Sequence, residues 1–597
     1  MSAPSSPSNP RHGADAPAGE ALDARARDAS SAPSDAASQR HESTRQARKR
    51  APGAPPRSGR PPTRAHTAAD ASAVLLAARA VDFTATHIPE PSLIFGDHLR
   101  EVDPKTGLAL HGPFDLRAAG RRTSIRLGIV GTGPMIDAAL AWVERAQGRI
   151  PAVRLRKAKG GGVEPAHMDP VSYPPFPGLH EAFGTEVVTE GMVETLGPRD
   201  IAALERIELF EPRVTRLVEL IVERVRVLAD RDPAPDVILC ALPTDLRKLV
   251  TVPSRQKTRA KAPRTLAQEL TAALARDKAA GQDNLFDVAE AHGVATEAAD
   301  LEAEQSVFRH GLKARAMPHG IPLQLAWQVT LEGGPTVEDD ATRAWNFWAG
   351  VYYKAGGVPW RVHGLERGTC YVGLSFYRDR RDGSLRTCMA QAFSDQGEGL
   401  VLRSEPFKWD ASRRSRTPHL PEDLARDLMR RVLDAYQSAM RQLPSRVVLH
   451  KWQRYDEAER TGFVGAIEDA GVHAHDLVAF GTRGLRFFRT GGEPPLRGTM
   501  ITLAPGNALL YTRGYVPFLR EYPGMRVPRP LEIVEHHGGS ALTKIGQEIM
   551  ALTKLDWNSA TFAAKEPITT AFSDDVGEVL AELPPGTNPR PQYRFYM

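Results

Sequence analysis

The sequence predicts an α/β protein with two folded domains, of which the first is built on a doubly wound parallel sheet. Short apolar runs alternate with helical segments up to about residue 345, and three consecutive strand-like segments follow from about Cys370. No aromatic residue precedes Phe83. At 597 residues the chain exceeds one ordinary domain of about 100 to 200 residues. We expect four parts: a disordered basic tail (1–75), a lead-in segment (76–125) and domains at 126–345 and 346–597.

The tail is rich in Ala, Ser, Pro, Arg and Asp, which cannot bury enough apolar surface to offset chain entropy. Residues Arg45 to Arg64 carry seven cations and no acid. This stretch is either a solvated basic tail or a non-specific phosphate contact.

Composition excludes several classes of protein. The chain is 41% hydrophobic and 25% charged, and it lacks an apolar run of the roughly 18 residues that cross a bilayer. Its start has no apolar core of a secretory signal, and Cys240, Cys370 and Cys388 form no CxxC pair. We expect a cytoplasmic protein whose cysteines are buried apolar side chains. The net charge of +5 gives weak support for a polyanionic partner.

The first domain begins with a strand, a tight turn and a helix at residues 124–146. Its glycines resemble a dinucleotide fingerprint, but Pro134 and the missing third glycine favour an ordinary βα unit. Asp236 to Pro243 and Ile321 to Leu331 are the next predicted strands, and residues 254–281 form a charged, helix-prone insertion. Ligands bind beyond the strand ends of such sheets.

The second domain starts with three strands at residues 370–379, 385–394 and 399–407. A long amphipathic helix follows at 421–443, and further strands follow at 446–451 and 475–481. Three antiparallel strands, a helix and then parallel strands is the order of a ribonuclease-H-like domain.

The strongest candidate site is cationic. Arg309 and Lys313 lie four residues apart on a predicted helix and therefore share a face, where a guanidinium fork and an ammonium can hold one anion. Gln324 and Lys354 add an amide and a second ammonium. The alternative is a pair of solvated surface cations.

With these residues the chain resembles the short prokaryotic Argonautes, which consist of a MID and a PIWI domain. The resemblance covers roughly residues 88–597 and rests on three motifs besides the Arg309, Lys313, Gln324 and Lys354 set. They are "LIFGDHLREVDPKTGLALHGPFD", "DNLFD" (Asp283 to Asp287) and "LTKLDWNSATFAAKEPITTAFSDDVGEVL". It implies a Rossmann-like MID domain at 126–345 and a ribonuclease-H-like PIWI domain at 346–597.

By the resemblance, those four polar residues match the MID pocket for the 5'-phosphate of a guide strand. Many relatives carry an aromatic residue at the position of Arg309 that stacks on the first guide base; here Arg309 or, less favourably, His310 is the candidate. Lys554 and Asn558 resemble residues that touch the guide backbone, and four-residue spacing places them on one face if their helix continues that far.

Several relatives add a divalent ion held by the C-terminal carboxylate. The aromatic ending "RPQYRFYM" favours burial of the Met597 carboxylate, so we expect Mg²⁺ between Met597, the Gln324 amide and the phosphate.

Slicing PIWI domains hold two metal ions with clustered carboxylates. At the matching positions this chain has Ser375 and Trp452, neither of which can neutralise Mg²⁺. Glu398 and Asp574 fall near two other ligand positions. We expect no slicing activity; the alternative is a guide-directed nuclease with a relocated metal site around Glu398, Asp574 and Asp575.

The resemblance therefore implies a guide-loaded sensor of a prokaryotic defence system that recognises complementary DNA by base pairing. It favours an RNA guide, although the sequence leaves DNA open. The segment before the MID domain is too short for a PAZ domain of about 100 residues. The expected partner is an APAZ-containing protein with a sirtuin-like, TIR or nuclease effector. A guide-independent basic binder is a third alternative.

Overall fold

A computed structural model describes most of the chain from Phe83 onward. The described ranges are 83–157, 163–250, 297–334, 337–379, 384–393, 399–407, 417–481, 485–487, 494–520, 522 and 528–597. The predicted tail, the insertion at 254–281, the motif Asp283 to Asp287 and Glu398 lie outside these ranges.

Strands in the described ranges have the following bounds: β1 Thr84–His87, β2 Leu93–Ile94, β3 Arg100–Glu101, β4 Ser124–Gly131, β5 Val153–Lys157, β6 Val163–His167, β7 Glu186–Val188, β8 Val193–Thr195, β9 Val237–Leu242, β10 Leu323–Trp327, β11 Arg361–Val362, β12 Thr369–Arg378, β13 Leu385–Phe393, β14 Gly399–Arg403, β15 Arg446–Trp452, β16 Ala474–Gly481, β17 Thr499–Ala504, β18 Asn507–Leu510 and β19 Leu531–Gly538.

The helices there have these bounds: α1 Pro104–His111, α2 Gly133–Gln147, α3 Leu179–Phe183, α4 Pro198–Glu205, α5 Phe210–Ala229, α6 Thr244–Leu249, α7 Glu297–Ala316, α8 Gln328–Glu332, α9 Asp340–Lys354, α10 Glu422–Met440, α11 Glu457–Asp469, α12 Leu542–Leu552 and α13 Ile568–Ala581.

A parallel sheet of the order β10-β9-β4-β7, with β8 also on β4, forms the first layer of the fold. β9 is buried along its whole length, as an all-apolar run in a sheet covered on both faces should be. α2 packs on one face, and α5 and α7 pack on the other. The predicted doubly wound sheet is confirmed, but its last strand ends at Trp327 because α8 takes over the rest of the predicted strand.

The larger sheet has nine strands in the order β1-β17-β18-β19-β16-β15-β12-β13-β14. β12, β13 and β14 are antiparallel, whereas β15 lies parallel to β12 and β16 parallel to β15. α10 and α11 cover one face, and α12 and α13 cover the other. This is the predicted ribonuclease-H-like order. α9 runs across the predicted boundary at residues 345/346, and the division into domains stays a prediction.

The lead-in segment contributes strands to the nine-stranded sheet and to a separate small sheet. β1 extends the nine-stranded sheet by pairing with β17, and β2 and β3 join β11 in a small antiparallel sheet. Glu90 lies 2.8 Å from Arg497 and 2.9 Å from Lys554, so a buried ion cluster fixes this segment to the large sheet.

In the described ranges, helices that combine the length and apolarity needed to span a bilayer are absent. Cys240 and Cys370 are buried, as predicted, and form no disulfide with a described residue; burial raises the pKa of Cys240 to about 12. The side chain of Cys388 lies outside the description.

Candidate anion-binding site

Of the four predicted phosphate ligands, Gln324 and Lys354 are in direct contact, and the charge of Lys354 acts on Lys313. Lys354, at the end of α9, places Nζ 2.5 Å from Oε1 of Gln324 on β10 and 3.3 Å from Oδ1 of Asn558. Lys313, on α7, donates from Nζ to the backbone carbonyl of Tyr596 at 2.8 Å. The end of α9 therefore contacts β10, and α7 contacts the C-terminal end of the chain.

The site holds more positive charge than its surroundings neutralise. Lys313 and Lys354 are buried, and within the described ranges no carboxylate lies at ion-pair distance from either of them or from Arg309. Burial, and then the charge of Arg309, lowers the pKa of Lys354 to about 7. Burial, Arg309 and Lys354 lower the pKa of Lys313 in the same way. Such mutual repulsion is relieved by an anionic ligand.

Arg309 supplies a further unused donor. Its Nε is buried and has no hydrogen-bond partner among the described residues, which is costly for a guanidinium unless a ligand completes it. The structure therefore favours the anion site over the alternative of two solvated cations. His310 is buried beside it on α7.

Aromatic side chains close the site from the C-terminal end. Tyr593, Phe595, Tyr596 and Met597 are all buried, as the aromatic ending predicts. The Tyr596 hydroxyl donates to the Arg590 carbonyl at 2.7 Å, which holds the final turn in place.

Tyr353 forms part of the same aromatic wall. It contacts the rings of Trp557 and Tyr593 at centroid distances of 4.8 and 6.2 Å. Tyr353 and Trp557 were not predicted as part of the site, because only the folded chain brings α9 to the C-terminus.

Two carboxylates lie near the cations without pairing with them. Asp575 is exposed. Burial, and then the charges of Asp556 and Asp575, raise the pKa of Tyr593. Burial and then Asp575 raise the pKa of Asp556, against the opposing effects of the Asn558 backbone and Lys354. The charges of Asp575 and Asp556 only partly oppose the lowering of the pKa of Lys313 and Lys354, respectively, for which burial is the main cause.

The oxygen donors beside the lysines suit Mg²⁺ if an anion is bound at the same time. Gln324 offers an amide oxygen, and the chain end at Met597 is buried near Lys313 through Tyr596. However, Lys354 already donates to Gln324 Oε1. Because Arg309, Lys313 and Lys354 repel a cation, the residues fit Mg²⁺ only together with a bound anion.

Lys554 and Asn558 separate in the structure. α12 ends at Leu552, so the two residues do not share a helical face. Asn558 joins the anion site, whereas Lys554 is buried against Glu90, the Val102 carbonyl at 2.5 Å and the Phe562 ring. Burial is the main cause that lowers the pKa of Lys554, to about 8.

The positions that match slicing carboxylates lie on adjacent strands. Leu374 on β12 pairs with Lys451 on β15, so Ser375 and Trp452 follow side by side. Ser375 Oγ donates to the Ser573 carbonyl of α13 at 2.7 Å, which occupies its polar atom. Lys451 is buried in an ion pair with Glu459.

Asp574 lies half-buried on α13. Burial and then the charges of Glu566, Asp575 and Glu578 raise its pKa well above the ordinary value. In the described ranges no group of three or more His, Cys, Asp or Glu side chains is arranged to hold a metal ion.

Solved structures with similar folds are Argonaute and Piwi proteins. Clostridium butyricum Argonaute, bound to a guide DNA and a 19-mer target DNA, matches 86% of this chain with a TM-score of 0.53 and 14% identity. Argonaute of A. aeolicus matches 84% with a TM-score of 0.47 and 13% identity, and Drosophila Piwi matches 86% with the same two values. The chain spans 55%, 53% and 56% of these three structures, respectively.

No protein-family model matches the chain, and no curated protein matches it in sequence. The chain thus has the fold of about half of an Argonaute, as the sequence motifs predict.

Proposed function

We propose that this protein binds a nucleic-acid guide strand by its 5'-phosphate and uses that strand to recognise a complementary target. The observation that carries the proposal is the cluster of two buried lysines, Lys313 and Lys354, with the half-buried Arg309, none of which pairs with a described carboxylate. A terminal phosphate carries about −1.5 to −2 charges near pH 7 and three acceptor oxygens, which suits three cationic donors. The fold supports the same function, because the matching Clostridium butyricum protein holds a guide and a target.

Each residue has a defined task in this proposal. Lys313 and Lys354 donate to phosphate oxygens, while Gln324 and Asn558 orient Lys354. The guanidinium of Arg309 completes its hydrogen bonds on the phosphate or stacks on the first base. Bound Mg²⁺ would add positive charge between Gln324, the Met597 carboxylate and the phosphate.

The guide is proposed to be RNA and the target DNA. Sequence is then read by base pairing, and the protein contributes the positioning of the strand. We place this activity in the cytoplasm as part of a prokaryotic defence system.

Slicing is not part of the proposal, because Ser375 and Trp452 supply no metal-binding carboxylate. When loaded protein is incubated with complementary DNA and Mn²⁺, we expect no discrete product. A product cut opposite the guide would instead favour the nuclease hypothesis around Glu398, Asp574 and Asp575.

Without its own chemistry, recognition needs an output from a second protein. We propose a heterodimer with an APAZ-containing protein that carries a sirtuin-like, TIR or nuclease effector. Coexpression with the neighbouring gene product followed by gel filtration should give one complex, whose effector works only with guide and target present. A chain that elutes alone and blocks a plasmid by itself would contradict this part.

The proposed function as a whole is tested by the nucleic acid that copurifies with the protein. Sequencing with and without enzymatic removal of 5'-phosphates should reveal short strands of narrow length with 5'-phosphate ends. The matched control is Lys313→Met/Lys354→Met, which should copurify with far fewer of them. Strands of random length and end chemistry, equal in both proteins, would support the guide-independent binder instead.

A further inference from the structure

A second cationic cleft lies between the lead-in segment and β11. It encloses about 440 Å³, which is within the size of small-ligand pockets. Its polar lining comes from Arg100, Arg361, Arg367, His98 and His363, and its aromatic wall is Phe114. We call this set of residues the lead-in cleft.

Among the described residues, Arg100 and Arg367 of the lead-in cleft form no ion pair, and the lining found there contains no acidic residue. The acids closest in sequence are directed to other partners. Glu366 lies 2.7 Å from Lys544, and Asp97 forms an ion pair with Arg117. Glu101 is 3.8 Å from a ring nitrogen of His111. An anionic ligand therefore meets attraction without a competing carboxylate in the cleft.

Flat side chains stand beside these cations. The guanidinium carbon of Arg361 lies 4.2 Å from the centre of the Phe114 ring, and the His98 ring meets the same phenyl ring edge-on at 5.7 Å. Aromatic faces interleaved with basic groups are typical of sites that bind single strands, where bases stack and phosphates pair with cations.

The backbone of this wall adopts a conformation that side chains rarely take. Asp97 and His98 are consecutive residues with φ of 53° and 60°, in the left-handed region that glycine favours. Such conformations cluster at binding and catalytic sites, where surrounding structure holds them. Here they place the His98 ring against Phe114.

The lead-in cleft is close to the anion site along the chain. Arg361 follows Lys354 by seven residues, which span at most about 25 Å. The Trp360 carbonyl accepts a hydrogen bond from Trp557 Nε1 at 3.1 Å, and the neighbouring Asn558 binds Lys354. One strand of several nucleotides can reach both places.

We propose that the lead-in cleft is a second nucleic-acid subsite, which binds a phosphate and an unstacked base of a single strand. That this strand is the one whose 5' end lies in the anion site rests on the proposed function. An acidic peptide would use the cations but not the flat guanidinium of Arg361 that Phe114 supports, on which a base can stack, so nucleic acid is the better match.

The test uses the full chain, freed of copurifying nucleic acid, and a fluorescent 5'-hydroxyl oligonucleotide. Arg100 and Arg367 are exposed, so Arg100→Gln/Arg367→Gln should leave the fold intact. Its matched control is Arg216→Gln/Arg430→Gln, which removes the same charge from exposed positions on α5 and α10. Affinity is measured by fluorescence anisotropy over a range of salt concentrations.

We expect the cleft variant to lose roughly tenfold in affinity, and its log–log salt slope to become shallower by about 0.7 per lost phosphate contact. The control should keep the wild-type slope. Phe114→Leu should weaken binding of a normal strand more than binding of an abasic strand.

Equal affinity and slope in the cleft variant and its control would overturn the inference. So would a cleft variant that loses a fluorescent oligoglutamate peptide but retains the oligonucleotide, since that result identifies a site for acidic peptides. If the wild type ignores the 5'-phosphate but the cleft variant still loses affinity, the proposed function fails and this inference stands.

Discussion

The ammonium nitrogen of Lys354 lies 2.5 Å from the amide oxygen of Gln324, a residue 30 positions earlier in the chain. This contact fixes one of two buried lysines whose charges the described residues do not neutralise. It links the end of α9 to β10, and thus the long helix to the parallel sheet.

Removal of either lysine should weaken binding of phosphorylated strands selectively. Lys313→Met or Lys354→Met deletes a charge-assisted phosphate contact of about 1.5 to 3 kcal/mol, or roughly 10-fold to 100-fold in affinity. Binding of the same strand with a 5'-hydroxyl should change little. The matched control is Lys248→Met on α6, an exposed lysine paired with Asp245. Equal losses for both strands would contradict the assignment of these lysines.

Arg309→Met should stabilise the unliganded protein while it weakens binding of phosphorylated strands. The substitution removes a charge that repels Lys313 and Lys354 and a buried Nε without a partner, whose burial costs about 1 to 3 kcal/mol. Thermal unfolding followed by circular dichroism checks the first effect. Arg315→Met is the control on the same helix, where the guanidinium lies 3.6 Å from Glu219. A lower melting temperature for Arg309→Met would show that this residue is structural.

Stability of the unliganded protein should rise with pH above neutrality because of the buried lysines. The pKa of Lys354 is lowered from 10.5 to about 7 by burial and by Arg309, and the pKa of Lys313 is lowered too. Between about pH 7 and 10 the unfolded chain therefore binds more protons than the folded protein, and the free energy of unfolding increases. The cost of burying these charges is present in full below pH 7. Urea unfolding at several pH values measures the free energy of unfolding. In Lys354→Met this free energy should increase less between pH 7 and 10 than in the wild type.

Loss of protons from Lys313 and Lys354 should also weaken phosphate binding above neutral pH. The phosphate requires charged lysines, so binding at these pH values must be accompanied by proton uptake. Calorimetry in buffers of different ionisation enthalpy measures that uptake. An affinity that stays constant from pH 7 to 9 would contradict it.

Much of the fold could be predicted from local sequence patterns. The all-apolar run of β9 and the helical spacing of apolar residues in α10 each lie within a single element. Arg309 and Lys313 could be paired from their spacing alone. By contrast, the ion pair of Lys554 with Glu90 joins residues 464 positions apart, and its residue types are equally at home on a surface. The contact of Asn558 with Lys354 forms because α12 ends at Leu552. No capping residue in the sequence predicts that end.

Chelation should reveal whether Mg²⁺ takes part at the anion site. We expect millimolar Mg²⁺ to strengthen binding of 5'-phosphorylated strands over binding in EDTA, since it adds charge between oxygen donors. Gln324→Leu should abolish that increment, and Gln328→Leu, at a half-buried position on α8, should retain it. If EDTA has no effect on wild-type affinity, the ammonium groups alone supply the positive charge.

The central claim is that the cluster of Arg309, Lys313 and Lys354 binds a terminal phosphate, and one measurement on the wild-type protein tests it most directly. Equilibrium affinities are compared for one strand prepared with a 5'-phosphate and with a 5'-hydroxyl, at the same salt and pH 7. We predict that the phosphorylated strand binds at least about tenfold more tightly, since several charge-assisted contacts depend on that one group. Equal affinities for the two strands would contradict the claim.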